Sequence, residues 1–540
     1  MQSMTGGKAV VAALKADGID HVFGIVGTHN SPLFDGAYGD DDMRVVTVRH
    51  EGGASMMAAG YARASGKIAA CFVVPGPGLT NALTGMGMAH SESAPMLVFG
   101  GQNAHGQLER EGGYFHELAN SVDIARAVCS YATRVSSAND IAKVVRQSVR
   151  VMRTQRPRPA YIEMPLDVQN GTTSVGPLAP EDFPRPAAEA QSIARAAELL
   201  RGAKRPFIFA GGGAANPEAS AALASVAERL GAPVVTSMFA RGVISDRHPL
   251  SLGDGWGRLH MYDSLLEQAD AVLVVGSRID VVSDVNVGAR FPDRIVQIDI
   301  DPLVVGQRRP VDVGIVADAG VALQALANEL GNSTPACWFD LDGFRRARRA
   351  TLAEHTGPVM PLIESLRSAL PDNAIVVDDL TLVGYWMPVL FETYAPRTLI
   401  HPGTFDTLGY SLPAAIGAKF ACPDRPVISI SGDGGFLFTV QELATAVAEK
   451  LDLVALVFND NAYGSIRVYQ DRMFGRRHIG DSLVNPDFVK LGEAFGARSV
   501  RVAPEETGDA VARAVAAGGV WLIEVPFAPA GTAQMVPWMP

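Results

Sequence analysis

The chain has little of what staples, anchors or charges a protein for the commonest non-catalytic roles. Of 540 residues only four are cysteine (Cys71, Cys129, Cys337, Cys422). They are scattered without a CxxC pair, which supports neither a disulfide framework nor a zinc knuckle. No apolar run approaches the roughly 18 residues of a membrane-spanning helix. A basic excess is also missing: 46 Lys and Arg face 57 Asp and Glu, a net charge of −11, the reverse of a nucleic-acid footprint. Residues 1–16 lack the basic-then-apolar order of a secretory signal. A soluble protein in a reducing, cytoplasmic setting is expected, with neither nucleic acid nor membrane as partner. Two signatures also fail in detail. His50-Glu51 and His116-Glu117 lack the second histidine of a zinc HExxH helix. Residues 60–67 have five residues between their glycines, and Ile68 stands where a P-loop needs Ser or Thr.

What is present is apolar material, 48% of the chain, and 55 glycines. Short β-branched runs alternate with longer alanine-rich stretches. Strands are expected at 21–26, 45–49, 68–74, 96–99 and 161–163, with a helix over 6–17 between Thr5 as N-cap and Gly18 as stop. The same grammar returns at 206–210, 234–236, 271–276 and 295–299, and again at 374–377, 427–431, 453–459 and 521–525. Such alternation predicts parallel sheets covered by helices on both faces. The fold class is α/β, with three doubly wound parallel-sheet domains over 1–170, 191–330 and 361–540. Breaker-rich stretches at 171–190 and 331–360 read as linkers.

The strongest chemical signal lies in the last region. The strand at 427–431 runs into Gly432-Asp433-Gly434-Gly435, a helix is expected over 440–450 with Thr439 as its cap, and the strand at 453–459 runs into Asp460-Asn461-Ala462-Tyr463-Gly464. Asp433 and Asp460 are 27 positions apart. One strand–helix–strand unit therefore places each at the carboxyl end of a parallel strand, where open α/β sheets bind ligands. Two oxygen ligands without His or Cys suit a hard cation such as Mg²⁺, which keeps waters and takes phosphate oxygens. Glycines 432, 434 and 435 allow close approach of a phosphate, and a helix starting at Gly464 would offer its free N–H groups to the same anion.

A GDG followed by an Asn-rich turn resembles the diphosphate-binding motif of the thiamine-diphosphate-dependent family of acetohydroxyacid (acetolactate) synthase, pyruvate oxidase, benzoylformate decarboxylase and benzaldehyde lyase. The resemblance extends to Arg49-His50-Glu51, to Pro75-Gly76-Pro77-Gly78-Leu79-Thr80-Asn81, to Gly100-Gly101-Gln102 and to Leu408-Gly409-Tyr410. It implies thiamine diphosphate and Mg²⁺ as cofactors. Asp433, Asp460 and the Ala462 carbonyl would be the metal ligands, with Asp460 standing where the family usually has Asn. The cofactor-binding set is Glu51, Asp406, Leu408, Gly432, Asp433, Gly434, Gly435, Asp460, Tyr463, Gly464, Ser465 and Ile466. Leu408 would prop the cofactor in its bent shape, and Glu51 would protonate its aminopyrimidine ring, fitting a carboxyl whose burial raises its pKa.

The catalytic candidates beside Glu51 are His29, His116 and Gln102. A loop histidine at the place of His29 relays protons in the aldehyde lyases, although a surface role is the alternative. His116 stands where synthases often carry Gln. In the middle region, Phe209-Ala210-Gly211-Gly212-Gly213, Arg156 and the Gly276-Ser277-Arg278 turn match positions where some relatives hold FAD, others hold ADP, and others nothing. The implied activity is decarboxylation of a 2-oxo acid with transfer of the acyl carbanion to a carbonyl acceptor. The alternatives are a simple decarboxylase or an aldehyde lyase acting on a 2-hydroxy ketone, a flavin-linked oxidase, and a catalytically silent homologue. The resemblance also implies a homodimer or homotetramer with active sites between subunits.

Overall fold

The computed structural model describes residues 3–108, 110–254, 261–279 and 290–528. It contains three six-stranded sheets, and all pairings within each are parallel. The first has the spatial order Arg44–Thr47, His21–Gly24, Ala69–Val73, Met96–Gln102, Ala160–Pro165, Tyr131–Arg134. The third runs Leu399–Ile400, Ile375–Val377, Val427–Gly432, Leu453–Asn459, Val520–Pro526, Arg498–Arg501. With strands counted along the chain, both read 2-1-3-4-6-5. The middle sheet reads 3-2-1-4-5-6 instead, the order of dinucleotide-binding sheets. Strands such as Met96–Gln102 and Ala271–Val275 are buried along their whole length, as helices on both faces require.

The expected strands recur within one to three residues at either end. Several were not foreseen: Tyr131–Arg134 is only half-buried, Leu399–Ile400 has two residues, and Arg498–Arg501 is polar at both ends. Thr5 caps the first helix, Gly6–Ala16, by accepting the Lys8 N–H at 3.3 Å, and Gly18 follows at φ +74°. Two expectations need correction. The stretch 331–360 is not irregular throughout: it holds the helix Leu341–Thr356, capped by Asp340, which buries Phe344 beside Phe339 and Tyr262. Thr439 is not an N-cap. A helix starts directly at Asp433, because Gly432 is extended and serves as its N-cap; it ends at Thr439, and a second helix covers Glu442–Ala448. The Thr439 hydroxyl instead donates to the Gly409 carbonyl at 2.8 Å, tying two loops together.

The first and third domains share one hydrophobic core. Its centre is the crossing of Glu51–Ser65 with Ser411–Ala421, where two glycines let the backbones touch. A Cβ on Gly60 would stand 2.0 Å from the Ala414 carbonyl oxygen, and one on Gly417 only 1.8 Å from that of Met57. Across the same junction Arg63 donates to Glu92 at 2.5 Å and to the His401 carbonyl at 2.7 Å, while Gly403 N–H donates to Glu92 at 2.6 Å. No helix among the described residues is long and apolar enough to cross a membrane.

Candidate active site

Functional groups gather at two strand edges. On the third sheet, Asp433 is the first residue of its helix and is almost wholly buried. Asp460 follows the neighbouring strand and curls back so that the Ala462 N–H donates to its Oδ1 at 3.2 Å. Burial raises the carboxyl of Asp433 above the usual range, and burial together with the charge of Asp433 pushes Asp460 up to about 6. Two carboxylates that resist ionising side by side invite a cation between them. Asn485, which nothing in the sequence pattern singles out, donates to Asp433 Oδ2 at 2.6 Å and to Asn459 Oδ1 at 3.1 Å. The turn itself is pinned: Tyr463 N–H donates to the Asp481 carbonyl at 2.7 Å, and Leu483 N–H to that of Asn461 at 2.9 Å.

The anion cradle is equally tight. A Cβ on Gly434 would come within 2.5 Å of the Tyr463 ring, one on Gly464 within 2.4 Å of Asp460 Oδ2, and one on Gly435 within 3.3 Å of Asp379. The helix Gly464–Phe474 starts at this point, and its first N–H groups, from Gly464 and Ser465, have no intrahelical partner. Ile466 is exposed beside them. Asp406 sits at φ +62° on the turn leading to Leu408, which is half-buried and outside the core clusters. Beneath that turn lies a buried acid that sequence reasoning passed over. Asp379 accepts the N–H groups of Leu380 at 2.8 Å and Gly409 at 2.9 Å, and burial pushes its carboxyl up to about 7. Its neighbour Asp378 pairs with buried His401 at 2.9 Å. Two acids directly after an apolar strand would have been the signal.

On the first sheet, Glu51 opens its helix and accepts from Asn81 Nδ2 at 3.0 Å. His29 is buried, with its Nε2 2.9 Å from Asn103 Oδ1 and its Nδ1 without a partner. His116 lies beside it, ring centroids 5.3 Å apart, held by a backbone at φ +59°. Its pKa is lowered by burial and by His29, while Glu51 pulls the other way, so the three groups sense one another. Gln102 is buried, and its side-chain amide donates to Glu163 and Ser121.

No hydrogen bond or ion pair among the described residues joins Glu51 to the Asp433 edge. Glu51 starts the helix Glu51–Ser65, and Arg63, about 18 Å further along it at 1.5 Å per residue, meets the His401 carbonyl. Arg156, Gly212, Gly213 and the Gly276-Ser277-Arg278 turn do come together, lining a separate cavity of about 1000 Å³ against the middle sheet. Burial there, with the charges of Arg278 and Arg158, lowers Arg156 to about 10.

The residues present fit the implied cofactor. Two oxygen ligands and a pinned turn carrying Ala462 suit Mg²⁺, glycines at the third edge would let a diphosphate approach, and Glu51 would be available to an aromatic nitrogen base. No group of three His, Cys, Asp or Glu side chains that could hold a metal occurs among the described residues; the ligand set above needs only two.

Comparisons with known proteins match all three domains. Residues 4–124 match the thiamine pyrophosphate enzyme N-terminal domain, 193–326 the central domain and 379–525 the C-terminal domain. The chain is 36% identical to a probable 2-ketoarginine decarboxylase of Pseudomonas aeruginosa over 97% of its length and 94% of that protein's. It is 33% identical to the acetolactate synthase large subunit of Corynebacterium glutamicum, covering 94% and 83%. A probable acetolactate synthase large subunit of Methanococcus aeolicus is 30% identical, covering 99% and 94%. With functional groups at the edges of the first and third parallel sheets and family matches running through all three domains, the chain belongs to the thiamine pyrophosphate enzyme family of carboligases and decarboxylases.

Proposed function

We propose that this protein is a cytoplasmic thiamine-diphosphate- and Mg²⁺-dependent enzyme that removes CO₂ from a small 2-oxo acid and completes the reaction by returning a proton to the carbon that lost it. Thiamine diphosphate, when bound, supplies the electron sink for that carbon. Asp433, Asp460 and the Ala462 carbonyl hold the metal, Gly434 and Gly464 make room for the diphosphate, and Leu408 supports the rings. Glu51 holds the proton that activates the cofactor.

The observation carrying this reading is the cluster of His29 and His116 within electrostatic reach of Glu51. Two imidazoles beside a carboxyl are groups a protonation step can use. The resemblance to a probable 2-ketoarginine decarboxylase favours the same ending. A second reading, capture by another carbonyl as in a carboligase, is favoured by the acetolactate synthases at 30–33% identity. FAD is no part of the proposal, since the Arg156 cavity lies apart from both edges.

A working site needs both edges, and the family resemblance implies that they come from different subunits, so the functional unit is at least a homodimer and a homotetramer is two of these. The reading is tested by supplying pyruvate, benzoylformate, 2-ketoarginine and benzoin in turn with thiamine diphosphate and Mg²⁺. CO₂ with an aldehyde from a 2-oxo acid supports protonation; CO₂ with an acyloin or acetolactate moves the assignment to ligation. No CO₂ from any 2-oxo acid contradicts both.

A further inference from the structure

Gln102 belongs to a hydrogen-bond chain that ends on His29, and the polarity of that chain is forced from its far end. Glu163 is fully buried and ion-paired with Arg134, so its carboxylate only accepts. Gln102 must point its amide nitrogen there, and Nε2 donates to Glu163 Oε2 and to Ser121 Oγ, both at 3.2 Å. Gln102 Oε1 is then left for Asn103, whose backbone N–H it accepts at 2.9 Å. The Asn103 side chain meets two acceptors on one side, the Phe115 carbonyl at 3.2 Å and Gln102 Oε1 at 3.5 Å, and turns its NH₂ toward them. Its Oδ1 is what remains for His29 Nε2 at 2.9 Å. An acceptor in that place calls for a proton on Nε2.

We infer that Gln102, Asn103 and Glu163 are positioning residues that hold neutral His29 as the Nε2–H tautomer, so that His29 takes up and returns protons only through Nδ1. The inference rests on the reading of His29 as a proton carrier. Nδ1 is buried without a partner, on a ring flanked by His116 and by Phe115 stacked at 6.2 Å. The backbone is clamped as well. The His29 carbonyl accepts from Gln169 Nε2 at 2.8 Å, and a Cβ on Gly101 would lie 2.1 Å from the same oxygen. Turning the ring over would set a lone pair against Asn103 Oδ1. In each cycle Nδ1 gains one proton and gives one to the product carbon, with no change of oxidation state at the ring. The charged and titratable groups acting on His29 are His116 directly, Glu51 behind it, and the Glu163–Arg134 pair through Gln102.

Selective ¹⁵N-histidine labelling of the full-length protein, with His29→Gln to assign the signal, reads the tautomer directly. It needs no turnover, so a failed inference and a failed assignment of activity are seen separately. Neutral His29 with Nε2 protonated and Nδ1 bare is the expected result; the opposite tautomer, or an even mixture, overturns the inference. Asn103→Asp keeps the acceptor and adds a charge, so it should keep the tautomer and shift the His29 titration, and the matching limb of the kcat–pH profile, upward. An unmoved titration contradicts the relay. Asn103→Leu should scramble the tautomer and lower kcat by about tenfold or more, part of the roughly 10²–10⁴ a positioned acid–base group supplies, while KM changes little. An intact tautomer and kcat in a folded Asn103→Leu protein would overturn the inference.

Discussion

The first and third sheets share one strand order and carry their functional groups at the carboxyl ends of their strands, yet the two edges are furnished differently. The first offers one carboxylate, two histidines and neutral amides, Glu51, His29, His116, Asn81 and Asn103, which suit the holding and moving of protons. The third offers two buried acids, both with raised pKa and Asp460 raised further by the charge of Asp433, with glycines packed so closely that a methyl would collide, which suits a cation and a diphosphate. Equal scaffolds thus diverge in their loops, the division between fold and site that parallel α/β sheets permit.

Changes to either edge should fail in different ways. Glu51→Gln should lose roughly 10²–10⁴ of kcat, the span of a general acid–base group, while still taking up cofactor. Mixed with Asp433→Ala it should regain activity in hybrid dimers that hold one intact edge of each kind; no recovery in any mixture would argue against sites built from two chains. Gly434→Ala attacks the other edge. Its Cβ meets the Tyr463 ring, and overpacking of roughly 1–3 kcal/mol corresponds to a roughly 5- to 150-fold rise in the Kd for thiamine diphosphate, read by calorimetry, with proton transfer at the first edge unaffected in saturated enzyme.

Asp460→Asn should raise the Mg²⁺ concentration for half-maximal activity several-fold. The wild-type requirement should itself rise as pH falls through about 6, where Asp460 takes up a proton, and the variant should lose that step. An identical Mg²⁺ curve at every pH would remove Asp460 from the ligand set. A further effect concerns stability. Burial raises Asp379 to about 7, so the folded state holds a proton that the unfolded chain has released above about 4. The stabilisation from this group is complete below about pH 4 and is lost as pH rises to about 7. Urea unfolding of the apoprotein should show that decline, and Asp379→Asn should flatten it; equal slopes would contradict the assignment.

Much of this was legible in the sequence because parallel sheets announce themselves in one dimension. Buried strands such as Leu453–Asn459 are continuous apolar runs, and a turn at the end of a strand must face the ligand edge, which places Asp433, Asp460 and Glu51. What stayed hidden depends on distance in the chain. Asn485 reaches Asp433 from 52 residues away in a loop with no periodic pattern. Gln102 sits at a strand end as a ligand-facing residue should, but its amide is claimed by Glu163, 61 residues on. Thr439 has the chemistry of a helix cap, and only the folded loop at Gly409 shows which acceptor it serves.

The central claim is that Mg²⁺ at Asp433 and Asp460 clamps the diphosphate of thiamine diphosphate. Isothermal titration of the purified apoprotein with thiamine diphosphate tests it most directly. Saturable uptake in Mg²⁺ that disappears with EDTA, and is weakened in Asp433→Ala, is the predicted result; binding that ignores the metal, or no binding at all, would contradict it.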